Sequence, residues 1–104
     1  MGTKEDLLRE ERDAAWVGDA VLSLFARRWI LAHQHEFPGH GKQDLLRWMT
    51  SNQFLSAIGS PTTIESHIGK LYEEEGYTAT ALWIETQLLP LFLKQMHNRR
   101  AHRA

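Results

Sequence analysis

Two carboxylates stand among apolar neighbours in this chain. Asp19 has Ala15 at i−4, Leu22 at i+3 and Ala20 beside it. Glu85 has Leu82 at i−3, Leu88 at i+3 and Leu89 at i+4. Residues three and four apart share a helix face, so each acid interrupts an apolar stripe. An ionised carboxylate is costly to bury unless it is paired or binds a metal. A buried ion pair or a cap satisfies that condition for either acid alone. Two such acids on separate helices that converge would also suit Mg²⁺, which is commonly held by one or two carboxylates and waters. An ion held in this way can activate water and stabilise a phosphoryl transition state. Gly18 strengthens the case at Asp19. A glycine inside a helix costs about 1 kcal/mol relative to alanine. With Ala14, Ala15 and Ala20 it leaves little side-chain bulk. Close helix packing accounts for that smallness, and so does close approach of an RNA backbone or a metal.

Other residues offer lesser chemistry. Lys94, His97, Arg99, Arg100, His102 and Arg103 form the basic C-terminal tail, residues 94–104. Lys94, Arg99, Arg100 and Arg103 are the candidate RNA contacts, and binding through them would be salt-sensitive. The same cations also suit a solvated helix end, where the dipole favours positive charge. Arg27, Arg28 and Lys42 are weaker candidates. His33, His35 and His40 cluster around Pro38. Zinc could use histidines, but no acidic or cysteine partner completes a recognisable spacing, and a solvated loop suffices. Trp29, Trp48 and Trp83 read as core or interface residues. Trp16 stands one residue off the Val17, Val21, Leu24 stripe, so the core need not absorb it. A large apolar group outside a core often marks an interface.

The elements that must position these groups are helical. Phe37-Pro38-Gly39-His40-Gly41 and Gly59-Ser60-Pro61 read as loops, and Gly76 marks a third break after Glu73-Glu74-Glu75. Thr3 followed by Asp6 reads as an N-terminal cap. Val17, Val21, Leu24, Arg28 and Leu31 recur at helical steps, widened by Ala14, Ala20 and Phe25. Leu45, Trp48, Met49, Phe54, Leu55 and Ile58 form a second apolar set, with Thr50-Ser51-Asn52 placed to end one helix and cap the next. Pro61 suits the first turn of a helix over 61–75. A last helix runs from about Tyr77, with Ala81, Leu82, Leu88, Leu89 and Phe92 on one side. No two-residue alternation is sustained. The spacing predicts an all-α chain of four or five helices, forming a single domain over residues 1–104.

Composition limits the function classes. Hydrophobic residues make up 42% and charged residues 24%, which argues against disorder. The formal net charge is −1, so bulk charge advertises no nucleic-acid binding and any such activity needs a local patch. With no cysteine, disulfides and thiol catalysis are excluded. No apolar run approaches a membrane span, and the polar, acidic opening Met1–Asp6 is unlike a secretory leader. A cytoplasmic protein is the expectation.

The run Glu11-Arg12-Asp13-Ala14-Ala15-Trp16-Val17-Gly18-Asp19-Ala20-Val21-Leu22 resembles the signature helix of the ribonuclease III family, E-R-L-E-F-L-G-D-A-V-L. Leu45, Leu46, Arg47, Met49-Thr50-Ser51-Asn52, Leu55, Ser56 and Ile58 look like the family's L-x-x-R-x-x-L-V-S-N-x-x-L-A-x-I-A segment. Ile84–Leu93 looks like F-E-A-L-I-G-A-I-Y-L. These segments keep family order over roughly residues 8–95. In the full pattern a Glu precedes the signature Asp by four residues, and an Asp precedes the later Glu by three. Here those positions hold Ala15 and Leu82. The compact Mini-III branch keeps acids matching Asp19 and Glu85, has alanine at the position matching Ala15, and lacks a double-stranded-RNA-binding domain. It is the branch this chain most resembles.

The resemblance implies the family's helical endonuclease-domain fold, with four to seven helices and no double-stranded-RNA-binding domain. It implies an Mg²⁺-dependent endoribonuclease for double-stranded or structured RNA, with ribosomal RNA precursor as the natural role. Asp19 and Glu85 would be the catalytic, metal-holding residues. The enzyme would act as a homodimer, with Trp16 seated in a socket of the partner protomer. A second reading belongs to another class: a catalytically inactive ribonuclease III-like protein that binds RNA or scaffolds an assembly.

Overall fold

A computed structural model describes residues 2–103, with side chains through Asn98. The elements are α1 (Lys4–His33), a 3₁₀ turn (Gln34–Glu36), α2 (Lys42–Met49), α3 (Asn52–Ser56), α4 (Pro61–Gln87) and α5 (Leu89–Arg103). The described residues are all helix and connecting turns, with no strand. No helix among them is long and apolar enough to cross a membrane.

Local hydrogen-bond chemistry sets several boundaries. Thr3 Oγ1 accepts from Asp6 N at 3.2 Å, and Asp6 Oδ2 accepts from Thr3 N at 3.1 Å. This reciprocal capping box satisfies two donors that a helix start leaves open. Ser51 Oγ accepts from Phe54 N at 3.0 Å and starts α3. At the end of α1, His33 Nδ1 donates to the Trp29 carbonyl at 2.8 Å, and its ring stacks on Trp29 at 4.3 Å. Pro61 opens α4, where its missing N–H is harmless. Pro90 sits the same way in the first turn of α5, after α4 has ended at Gln87. It therefore marks a break between helices and does not kink one.

The segment α4 is two arms joined at Gly76, whose φ of 86° and ψ of −180° are not helical. His67 and Trp83 bring their rings within 4.6 Å. On a straight helix, 16 residues would separate them by roughly 24 Å, so the second arm doubles back on the first. A Cβ at Gly76 would meet nothing within 4 Å, so the backbone conformation alone calls for glycine. Thr80, fully buried, satisfies its own hydroxyl by donating to the Gly76 carbonyl at 2.8 Å.

The core gathers around Phe92. Trp29, Trp48 and Phe54 each meet its ring edge to face at 6.0–6.1 Å. Leu22, Ile30, Leu45, Leu55, Ile68, Ile84, Leu88 and Met96 are fully buried around it. The buried face of α1 is Ala15, Gly18, Val21, Leu22, Phe25, Ala26 and Ile30. The expected stripe is therefore rotated: Leu24 and Leu31 are exposed and Val17 lies at the core's edge. The middle of α1 is apolar most of the way round, and α4 decides which side is covered.

That decision is made where Gly18 meets Gly69. A Cβ on Gly18 would collide with the Glu65 carbonyl oxygen and lie 2.9 Å from Gly69 N. A Cβ on Gly69 would collide with the Ala14 carbonyl oxygen and lie 3.1 Å from Gly18 N. Each glycine thus turns a Cα hydrogen toward a carbonyl of the other helix, a weak but recurring contact at close crossings. Gly18→Ala must push the helices apart. It should lower the unfolding free energy by about 1–3 kcal/mol, the usual range for overpacking, measured by urea denaturation. Ala20→Ser, on the exposed side of α1, should leave stability within about 0.5 kcal/mol of wild type.

Candidate active site

The glycine crossing carries an acidic pair. Asp19 follows Gly18 on α1 and is exposed, whereas Glu65 is half-buried on the first arm of α4. The Glu65 carbonyl is the group that abuts Gly18. Its carboxyl lies beside that of Asp19. Partial burial, then the Asp19 hydrogen bond, then the Asp19 charge push the Glu65 carboxyl up from 4.5 to about 7. Burial and the neighbouring acid thus favour the protonated form of Glu65. Ala15, four residues before Asp19, is buried, and Thr62, three residues before Glu65, is exposed. The pair therefore has a small apolar neighbour on α1 and a hydroxyl-bearing one on α4. Thr63 adds a link at the outer edge, donating to Glu11 Oε1 at 3.4 Å.

On its other side Asp19 borders a hollow of about 690 Å³ between α1 and the turn of α4. Trp16 forms one wall and is 81% exposed. Leu24 and Tyr72 are also exposed there, and the Arg28 guanidinium lies 5.2 Å from the Tyr77 ring centre. Contiguous exposed apolar surface beside a polar cluster marks a binding face.

The acid that the structure brings to Asp19 is thus Glu65. Glu85 is exposed on the second arm. It lies two residues beyond Trp83, a step of about 200° around a helix. Trp83 faces His67 on the first arm, so Glu85 faces away from the arm that carries Glu65. Among the described residues no three His, Cys, Asp or Glu side chains group as metal ligands, and the loop histidines are no exception. Lys94 is exposed on α5. The side chains of Arg99, Arg100 and Arg103 lie outside the described residues.

No protein-family model, curated protein or solved structure matches the chain.

A signal for Glu65 does exist in the sequence. The pattern F-E-A-L-I-G-A-I-Y-L, set above against Ile84–Leu93, can also be laid on Ile64–Glu73. There Glu65, Ile68, Gly69 and Tyr72 coincide with it, whereas at Ile84–Leu93 only Glu85 and Leu93 do. The pattern's glycine then falls on Gly69, the residue that meets α1.

The raised Glu65 carboxyl has a consequence for stability. The folded state keeps a proton that the unfolded chain releases near pH 4.5. This contribution is fully present below pH 4.5 and is lost as pH rises through about 7. In Glu65→Gln that loss should vanish. Thermal melts should show the variant gaining on wild type between pH 4.5 and 7, with a constant difference above that window.

Proposed function

We propose that the chain is a metal-dependent endoribonuclease of ribonuclease III type, acting on double-stranded or structured RNA, with Asp19 and Glu65 as its acidic pair. The observation that carries this reading is the meeting of two solvent-reached carboxylates at a backbone-tight helix crossing. The sequence resemblance supports it. The Gly18-Asp19-Ala20-Val21-Leu22 run lies on one side of that crossing, and a second family-like run, Ile64–Tyr72, lies on the other. In this reading Glu65 takes the role that the resemblance first suggested for Glu85.

The donor set fits a hard divalent ion. Two carboxylates on an open rim suit Mg²⁺, which keeps several waters and needs few protein ligands. When bound there, the ion would supply Lewis acidity toward a phosphodiester and an acidified water. Asp19 and Glu65 would hold it, Glu65 in the ionised form that is favoured above about pH 7. Thr62 and Ala15 contribute no carboxylate, so affinity should be modest and should rise when Thr62→Asp adds one. The close contact of Gly18 with Glu65 fixes the spacing of the two acids without help from a loop.

The exposed Trp16 and the hollow beside it fit a two-fold homodimer, in which each Trp16 enters the partner's hollow. Two protomers joined in this way would carry two acidic pairs along one RNA duplex. A cytoplasmic role in RNA maturation, including that of ribosomal RNA precursor, is consistent with the absence of a membrane-spanning helix among the described residues.

Long double-stranded RNA should be cut in the presence of Mg²⁺ and left intact with chelator. Asp19→Asn and Glu65→Gln should each slow cutting by about 100-fold or more, the scale of losing one electrostatic stabiliser of a transition state. Glu85→Gln should cut normally. Binding of RNA without cutting under any divalent ion would favour the inactive, scaffolding reading.

Trp16→Ala should weaken dimerisation by about 2 kcal/mol or more, seen by light scattering as a shift toward monomer, with cleavage lost in parallel.

A further inference from the structure

A second, larger hollow lies away from the acidic pair. It measures about 760 Å³, and its walls come from α2, α3, α5 and the adjoining residues His40, Ser51 and Ala57, with no residue of α1 or α4. Small-molecule sites commonly span about 300–1,000 Å³. On α2 and just beyond it, Arg47, Trp48 and Ser51 line it. On α3, Gln53 faces it, and on α5, Gln95 and Asn98 do, one turn apart. Three carboxamides, an indole and a guanidinium thus converge from three helices.

The orientation of one carboxamide is fixed. Trp48 Nε1 donates to Gln95 Oε1 at 3.0 Å. An indole N–H can only donate, so the oxygen of Gln95 must face it. The Gln95 NH₂ group is left as a donor pair on the wall of the hollow. Trp48 is itself held by edge contact with Phe92. Arg47 pairs with Asp44 at 3.7 Å, with both groups largely exposed. Asp44 also lines the hollow and counters the Arg47 charge there. Amides, an aromatic ring and one guanidinium are the groups that recognise unstacked bases, through edge hydrogen bonds and ring contact.

We propose that this hollow is a binding site for an unpaired nucleotide, with the base edge read by Gln95 and Asn98 and its phosphate near Arg47. The site is separate from the acidic pair and does not require that pair to cleave anything. If the chain processes RNA, the site would select substrates with a single-stranded nucleotide beside the duplex.

The test uses the whole protein and the four nucleoside 5′-monophosphates, titrated by ¹H–¹⁵N NMR. At least one nucleotide should shift the Trp48 indole and the Gln95 and Asn98 side-chain amide signals in a saturable way. Gln95→Glu keeps an acceptor for Trp48 while removing the NH₂ donors, so the fold is retained. It should weaken binding about tenfold, the free-energy scale of one hydrogen bond to a charged or well-placed group. Asn98→Ala, on the surface of α5, should weaken it as well. Asp19→Asn should leave the affinity unchanged. The proposal is overturned if no nucleotide shifts these signals at about 10 mM, a Kd far weaker than any built site requires. It is equally overturned if the shifts fall only around Asp19 and Glu65, or if both amide variants bind as wild type does.

Discussion

Backbone-to-backbone contact between Gly18 and Gly69 is the constraint from which the rest follows. It sets the distance between α1 and α4, and thereby which face of α1 is buried. It also sets the separation of Asp19 and Glu65, because one follows a contact glycine and the other supplies the carbonyl which that glycine touches. A site built on loops would need a supporting shell of side chains to hold two acids in register. Here main-chain atoms do it, and helix main chain is among the stiffest scaffolding a small domain has.

Much of the helical layout was legible because it depends on local chemistry. Thr3, Ser51 and Pro61 announce helix starts through groups within three residues of themselves. Gly76 announced a break, although a glycine alone says nothing about the angle, and the folding back of α4 depends on the distant meeting of His67 and Trp83. The buried face of α1 was harder to read. Leu24 and Leu31 have the spacing of a core stripe yet stay exposed, because a helix apolar on several sides is oriented by its partner and not by its own periodicity.

The acidic pair was half legible, and the reason is physical. A search for carboxylates that interrupt apolar stripes finds Asp19 and Glu85. Glu65 escapes it, since Thr62, Thr63 and His67 around it are polar and exposed, so it reads as ordinary surface. The pair forms at the open rim of a helix crossing, where neither acid needs deep burial. The informative residues were the small ones: Gly18 and Gly69 each lie within four positions of an acid, and their shared demand for space joins the two segments.

The folding back of α4 has a bearing on the order of events as the chain folds. Its two arms meet across 16 residues, from His67 to Trp83, a short loop that closes readily. The crossing of Gly18 with Gly69 closes a loop of 51 residues and gains nothing until both helices exist. The helical hairpin can therefore form by itself, carrying Glu65 as a normal surface acid. Only when α1 docks does Glu65 lose part of its water and meet Asp19. Between pH 4.5 and about 7, proton uptake by Glu65 then accompanies the docking step. The protonation of Glu65 is thus tied to the long-range event, whereas the helices that precede it form without it.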